Sequence, residues 1–356
     1  MPVGKTQSAF HIYIELPTAA RGIIMKKISR MIVTWMLGVA LMSGCGAAKN
    51  ASEIPEPSEP TDVRVIALKG PTAMGMVSFM DLSDAGEIAD NNYHFEIAAA
   101  VDEVTPKLVQ GQVDIAAVPA NLASVLYNNT DGGVNVLAVN TLGVIYIVES
   151  GETVSDIGDL KGKTIYASGK GATPEYALNY ILTQNGINPE TDVNIEWKSE
   201  HTECLAALMA EENAIAMLPQ PFVTTAQTKS AQIRVALDLN EEWDKLGTDS
   251  SFLTGVVVAR EEFVETNPAA VESFMKHYEE SVAYVNDNVE DAAALIEKYD
   301  IVPAAVAVKA VPHCNITFIT GDEMKQKLSG YLGVLLEQNP KSVGGALPAD
   351  DFYYIR

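Results

Sequence analysis

Two glycine-bearing turns hold residues suited to gripping a small polar solute. The first is Lys69-Gly70-Pro71-Thr72-Ala73-Met74-Gly75, between an apolar run and a helical patch. Glycine lets the backbone approach a ligand closely. The first turn of the helix that follows has unpaired N–H groups, which favour an anion or a carbonyl oxygen. Thr72 can donate or accept. A plain strand-to-helix turn with a solvated lysine would look the same. The second turn is Ser168-Gly169-Lys170-Gly171-Ala172-Thr173-Pro174. Pro174 suits the first helical position and Thr173 the cap, and Ser168, Gly169 and Gly171 leave amides accessible. The G-x-x-x-x-G-K-[ST] spacing of a phosphate-binding P-loop is absent. Capping and ligand contact by Thr173 are compatible.

Further candidates stand at the ends of apolar runs: Asn121 after Pro119, Asn140 before Thr141, Gln220 after Pro219, and Thr254 at the start of an extended run. Asn121 serves equally well as a helix cap. Two lysine-bearing loops at helix N-termini predict an anionic or strongly polar solute. Tyr93, Tyr146, Tyr166, Tyr176 and Trp197 could stack a flat ring or pack in the core.

Catalytic readings find less. His201-Thr202-Glu203-Cys204 lacks the three or four spaced ligands of a metal site. Cys204 opens an apolar run with Leu205, Leu208 and Met209, as a buried cysteine would, and His313-Cys314 is similar. His94 and His277 are isolated. No cofactor or metal is expected.

The elements that must position these residues alternate. Val63–Leu68, Tyr93–Ala100, Val113–Val118, Val134–Asn140 and Val144–Val148 read as strands, with helical patches to Asp81 and over Asp102–Gln110. Such alternation predicts a parallel sheet flanked by helices. The stretch from Leu108 to Pro119 is echoed 100 residues later by Leu208 to Pro219. The strand–glycine-loop–helix unit at Val63–Asp81 is echoed at Thr164–Asn185. Two lobes of similar plan follow, with residues 62–147 plus 255–356 in one and 148–254 in the other. Val144–Glu149 and Thr254–Ala259 are the expected crossing strands. After Glu261 the chain reads as helical, packing on the first lobe.

The front of the chain has a different character. Met25-Lys26-Lys27, an apolar stretch from Met31 to Met42, and Ser43-Gly44-Cys45 look like a bacterial lipoprotein signal over 25–44, with Cys45 as the lipidated residue. The apolar stretch is shorter than the ~20 residues a bilayer-crossing helix needs. Met25 is then the expected start, and residues 1–24 an upstream segment outside the protein. Residues 45–61, with three prolines and little apolar mass, predict a flexible tether. The 356-residue chain carries a net charge of −23, and the five basic residues before Cys45 leave the remainder more acidic still. Such a surface repels nucleic acid.

These features together resemble the extracytoplasmic solute-binding lipoproteins of ABC importers, in the branch serving nitrate, sulfonates, taurine and thiamine-precursor pyrimidines. The carrying residues are the lipoprotein-like start, Asp156-Ile157-Gly158-Asp159-Leu160-Lys161-Gly162-Lys163-Thr164-Ile165, Leu218-Pro219-Gln220-Pro221-Phe222, Gln112-Val113-Asp114-Ile115-Ala116, and Asn267-Pro268. The family pattern usually has Glu where this chain has Gln220. The resemblance implies an α/β fold of the type II periplasmic-binding-protein kind. In it, two Rossmann-like lobes are joined by two crossing strands, with the ligand trapped in the cleft between them. It implies a permease partner in the membrane and a lipid anchor at Cys45. Enzymes of thiamine-pyrimidine and menaquinone biosynthesis use the same fold and are the competing class.

Overall fold

A computed structural model describes residues 60–355 apart from Asp249. The expected signal, the expected lipidation site at Cys45 and almost all of the expected tether lie outside the described residues. The strands are β1 (Thr61–Leu68), β2 (Asn91–Ala98), β3 (Ile115–Pro119), β4 (Val134–Leu142), β5 (Ile145–Glu149), β6 (Thr164–Ser168), β7 (Asn194–Lys198), β8 (Ile215–Pro219), β9 (Arg234–Asp238), β10 (Leu253–Arg260) and β11 (Ile316–Ile319).

They form two sheets, ordered β11-β4-β10-β3-β1-β2 and β7-β6-β8-β5-β9. Within the first, β2, β1 and β3 run parallel, and β10 runs antiparallel to β3 and β4. Within the second, β7, β6 and β8 run parallel, and β5 runs antiparallel to β8 and β9. The sheets repeat one plan: β2-β1-β3-β10-β4 corresponds to β7-β6-β8-β5-β9. The sequence echo is this correspondence, since Ile115–Pro119 and Ile215–Pro219 occupy the same place in their sheets. Strands covered on both faces read as continuous apolar runs; β3 and β8 do so because helices flank them, and β4 and β5 are broken only by Asn135, by Asn140-Thr141 and by Glu149.

The chain changes sheets twice. The first crossing is Gly143-Val144, between β4 and β5. Residues 145–147, assigned from sequence to the first lobe, pair in the second sheet because their ladder partners are Met217–Pro219 of β8. The second crossing runs from the end of β9 through the helix Leu239–Asp244 to β10. All of β10 lies in the first sheet, so the expected crossing run Thr254–Ala259 follows this crossing.

Helices Pro268–Asp287, Val289–Lys298 and Ala304–Ala310 bury their apolar faces on the first sheet, in one cluster with Val65, Ile115 and Val257. The helix Gly321–Gln338 behaves differently from the sequence expectation. Its Met324, Leu328, Tyr331, Leu332 and Leu335 share a cluster with Leu126 beside the first sheet and with Tyr176, Leu178 and Ile181 beside the second. It therefore fastens both lobes. Cys204 and Cys314 are buried and free, and burial pushes the Cys314 thiol up to about 12.

Candidate functional site

In open α/β sheets, ligands bind beyond the carboxyl ends of the parallel strands. Here those ends meet from both sheets. The residues following β1, β2, β6, β7 and β8 all line one cavity of about 760 Å³, within the size range of small-molecule sites.

The first-sheet wall carries Lys69, Gly70, Pro71, Thr72, Ala99 and Thr254. Gly70 stands before the short helix Pro71–Met74 and its carbonyl accepts from the Ala73 and Met74 amides. The Lys69 ammonium reaches Asp300 at 3.4 Å. Thr72 Oγ1 donates to the Leu68 carbonyl at 2.8 Å, and Thr254 Oγ1 to the Leu142 carbonyl at 2.6 Å.

The second-sheet wall carries Ser168, Gly169, Ala172, Pro174, His201, Gln220 and Phe222. Gly169 has φ +83°, and a Cβ there would sit 2.7 Å from Pro174 Cγ. Only glycine fits this turn without strain. Ser168 Oγ lies 2.6 Å from His201 Nδ1, and burial lowers the His201 pKa. The imidazole is held against Phe222, with ring centroids 5.0 Å apart. Gln220 is 3 % exposed. Its Oε1 accepts from the Thr224 amide at 3.3 Å and the Thr224 hydroxyl at 2.9 Å. This caps the helix Phe222–Lys229 and leaves the Nε2 amide for the cavity. The Gln220-Pro221 peptide bond is cis.

Of the residues expected from sequence, Lys69, Gly70, Thr72, Ser168, Gly169, Gln220 and Thr254 line this cavity, and Asn121, Asn140, Gly171 and Thr173 do not. Each of the four has another partner. Thr173 is the first helical residue, its expected cap position being taken by Ala172, and its hydroxyl donates to Asn121 Oδ1 at 3.2 Å. Asn121 lies inside the helix Ala120–Asn129 and donates from Nδ2 to the Ser342 carbonyl. Asn140 is buried beneath the wall, its Nδ2 donating to the Thr72 carbonyl at 3.3 Å. The Gly171 amide donates to Glu175 Oε2. Lys170 also stands off the cavity, so one lysine faces it rather than two.

His201, Phe222, Thr202 and Thr225 line the cavity without having been singled out as ligand contacts. A signal was present for His201: it occupies, one repeat later, the start of the helix after the second parallel strand. Among the described residues there is no group of three His, Cys, Asp or Glu placed to hold a metal ion. No described helix is long and apolar enough to cross a membrane.

Solved structures share this architecture. An ABC transporter protein from Parabacteroides distasonis superposes with TM-score 0.69 at 22% identity, covering 83% of this chain and 99% of that one. The periplasmic aliphatic sulphonate-binding protein SsuA of Escherichia coli gives 0.66 at 18%, covering 83% and 92%. The periplasmic nitrate-binding protein NrtA of Synechocystis PCC 6803 gives 0.56 at 14%, covering 82% and 83%. At these identities the likeness concerns the type II periplasmic-binding-protein fold. No curated protein sequence matches the chain significantly. Residues 82–308 match the profile described as "ABC transporter, phosphonate, periplasmic substrate-binding protein". With most of its length inside that match and both walls of its cleft built by the same repeated plan, the chain belongs to this family of extracytoplasmic substrate-binding components of ABC importers.

Proposed function

We propose that the two lobes close on a small polar or anionic solute, hold it without altering it, and present it to membrane permease subunits from a lipid anchor at Cys45. One observation carries this reading: the carboxyl ends of parallel strands from two separate sheets open onto a single shared cavity. A solute touching both walls binds the closed arrangement better than the open one, and that difference in affinity is what shifts the equilibrium. Lys69, Gly70, Thr72 and Thr254 contact it from one side, and Ser168, Gly169 and Gln220 from the other. Asn121, Asn140, Gly171 and Thr173 shape the walls from behind. The solute is of the kind handled by the sulphonate- and nitrate-binding relatives and by the phosphonate family.

The test is X-ray scattering and thermal melting of the purified full chain against sulfonates, phosphonates, nitrate, taurine and pyrimidines. A bound solute raises the melting temperature by mass action and shrinks the radius of gyration. Failure of every solute to do either sinks the receptor reading. Mass spectrometry of the recovered solute separates it from the enzymes that share the fold, since any product formed would mark a catalyst. For the anchor, metabolic labelling with a fatty acid should mark the wild-type chain and be lost in Cys45→Ala.

A further inference from the structure

A neutral His201 and a protonated one offer the cavity different numbers of donors. Ser168 Oγ lies 2.6 Å from His201 Nδ1, and both residues line the cavity. His201 Nε2 has no partner among the described residues. In one neutral tautomer Ser168 donates to Nδ1, and only Nε2–H is left for a solute. In the other, Nδ1–H donates to Ser168 Oγ; the serine proton is released, but Nε2 becomes an acceptor. A neutral ring thus gives one donor either way. An imidazolium gives two, Nε2–H and the Ser168 hydroxyl, together with a positive charge. The thiol of Cys204 behind Ser168 is only a weak acceptor and competes poorly with a solute oxygen for that hydroxyl.

Without a solute the cation is held off. Burial disfavours it, and the Glu200 carboxylate favours it less strongly. His201 is also the first residue of the helix His201–Ala210, whose positive dipole end repels a cation. The other charged or titratable groups around the ring have partners or no charge. On its own helix, Glu203 accepts from the Ser199 amide and Cys204 is a neutral thiol. From β7, the Lys198 ammonium bonds Glu196. From the first lobe, Lys69 pairs with Asp300. The helix Phe222–Lys229 brings the apolar Phe222 ring, with its lysine at the far end. An acceptor has reason to lie at this spot, because the amides of Gly169, His201 and Thr202 line the cavity and have no partner among the described residues.

Resting on the receptor reading, we infer that an acceptor-bearing solute seats together with one proton taken from water by His201. Nδ1–H then holds Ser168 Oγ, and Nε2–H and the Ser168 hydroxyl both donate to the solute. Binding is thereby coupled to pH through a side chain of the second lobe. Affinity tightens as pH falls from the ring's solute-bound pKa to its free value, and is level outside that interval.

The test is calorimetry on the full chain between about pH 8 and about pH 5.5, the range in which histidine titrates, in buffers free of sulfonate and phosphate. The probes are ethanesulfonate, taurine, nitrate, ethylphosphonate, cytosine and any other solute of the panel above that raises the melting temperature. Wild-type affinity should rise at least ~tenfold more over this range than that of His201→Gln, corresponding to about one unit of change in the ring's pKa. The difference between the two chains cancels the titration of the solute itself. Nitrogen NMR of the ring gives a second reading on the wild-type chain, with the signal picked out among five histidines by its displacement in Ser168→Ala. Saturating solute should move the ring's titration to higher pH in wild type and move it less in Ser168→Ala, where the imidazolium lacks its acceptor. Equal pH slopes in wild type and His201→Gln, or a ring titration that the solute leaves in place, overturn the inference and leave the receptor reading intact. If no solute of the panel binds at any pH, the receptor reading fails and takes this inference with it.

Discussion

Thr173 Oγ1 donates to Asn121 Oδ1 across 3.2 Å, joining the helix Thr173–Gln184 beside the second sheet to the helix Ala120–Asn129 beside the first. The Tyr331 hydroxyl donates to Thr173 Oγ1 at 3.3 Å, and Asn121 Nδ2 donates to the Ser342 carbonyl. Two side chains with the right chemistry for a solute thus hold each other, and the segment from Gly321 onward seals them on one side of the cleft.

Replacing Thr173 with valine keeps the shape and removes the central hydroxyl of this chain. Asn121 Oδ1 and the Tyr331 hydroxyl then lose a partner in a buried place. Urea unfolding should show a loss of about 1–3 kcal/mol. An unchanged midpoint would show that the bridge contributes nothing.

Gly255 on β10 lies against Asn140 and against Thr72 and Thr141, two residues that line the cavity. A Cβ there would lie 2.5 Å from Asn140 Oδ1 and 2.6 Å from Thr72 Cγ2. Gly255→Ala must therefore push Thr72 out of place and break the Asn140–Thr72 hydrogen bond. Overpacking of this kind costs roughly 1–3 kcal/mol. Thermal melting should show the destabilisation, and calorimetry with a solute that stabilises the wild-type chain should show weaker binding as well.

Gln220→Glu keeps the oxygen that accepts from Thr224 and replaces the amide donor with a second anionic oxygen. Negative charge at a helix start is compatible with the fold, so the far-ultraviolet spectrum and melting cooperativity should persist. A carboxylate facing the anionic end of a solute is a like-charge contact of ~1–4 kcal/mol. Calorimetry should show affinity falling at least ~tenfold. Undiminished affinity would place the Gln220 amide away from the solute.

Burial favours the neutral imidazole of His201. A histidine whose pKa is lower folded than unfolded takes up more protons in the unfolded state. Stability then falls as pH drops below the ordinary histidine range near ~6.5 and levels off below the folded pKa. Thermal melting between pH 8 and 4.5, on the order of the histidine window, should show this decline, and His201→Gln should flatten it. A separate loss should appear in stronger acid. Burial alone would raise the Asp114 and Glu149 carboxyls, but Arg64 and Arg260 around Asp114, and the Thr153 and Val154 amides with Arg234 around Glu149, hold them down. A flat profile in the His201→Gln variant across both windows would contradict the assignment.

The alternation of strands and helices, the repeat with its offset of 100 residues, and the glycine turns after β1 and β6 were all legible in the amino-acid order. These are local properties: the periodicity of apolar side chains, the restriction imposed by proline, and the need for glycine at Gly169. Val63–Leu68 and Val134–Asn140 could be recognised because strands covered on both faces are mostly apolar, with Arg64, Asn135 and Asn140 the exceptions here. Tertiary structure alone decided which polar residues face the cavity. Thr173 and Ser168 belong to the same turn and have similar hydroxyls, yet one bonds to Asn121 in the other lobe and the other to His201 on the wall. Likewise the helix Gly321–Gln338 has an apolar face that any core could bury. Its place between the lobes follows from where β4 and β10 bring the two sheets together. Partners fixed by contacts between residues far apart in the chain leave no trace in local spacing.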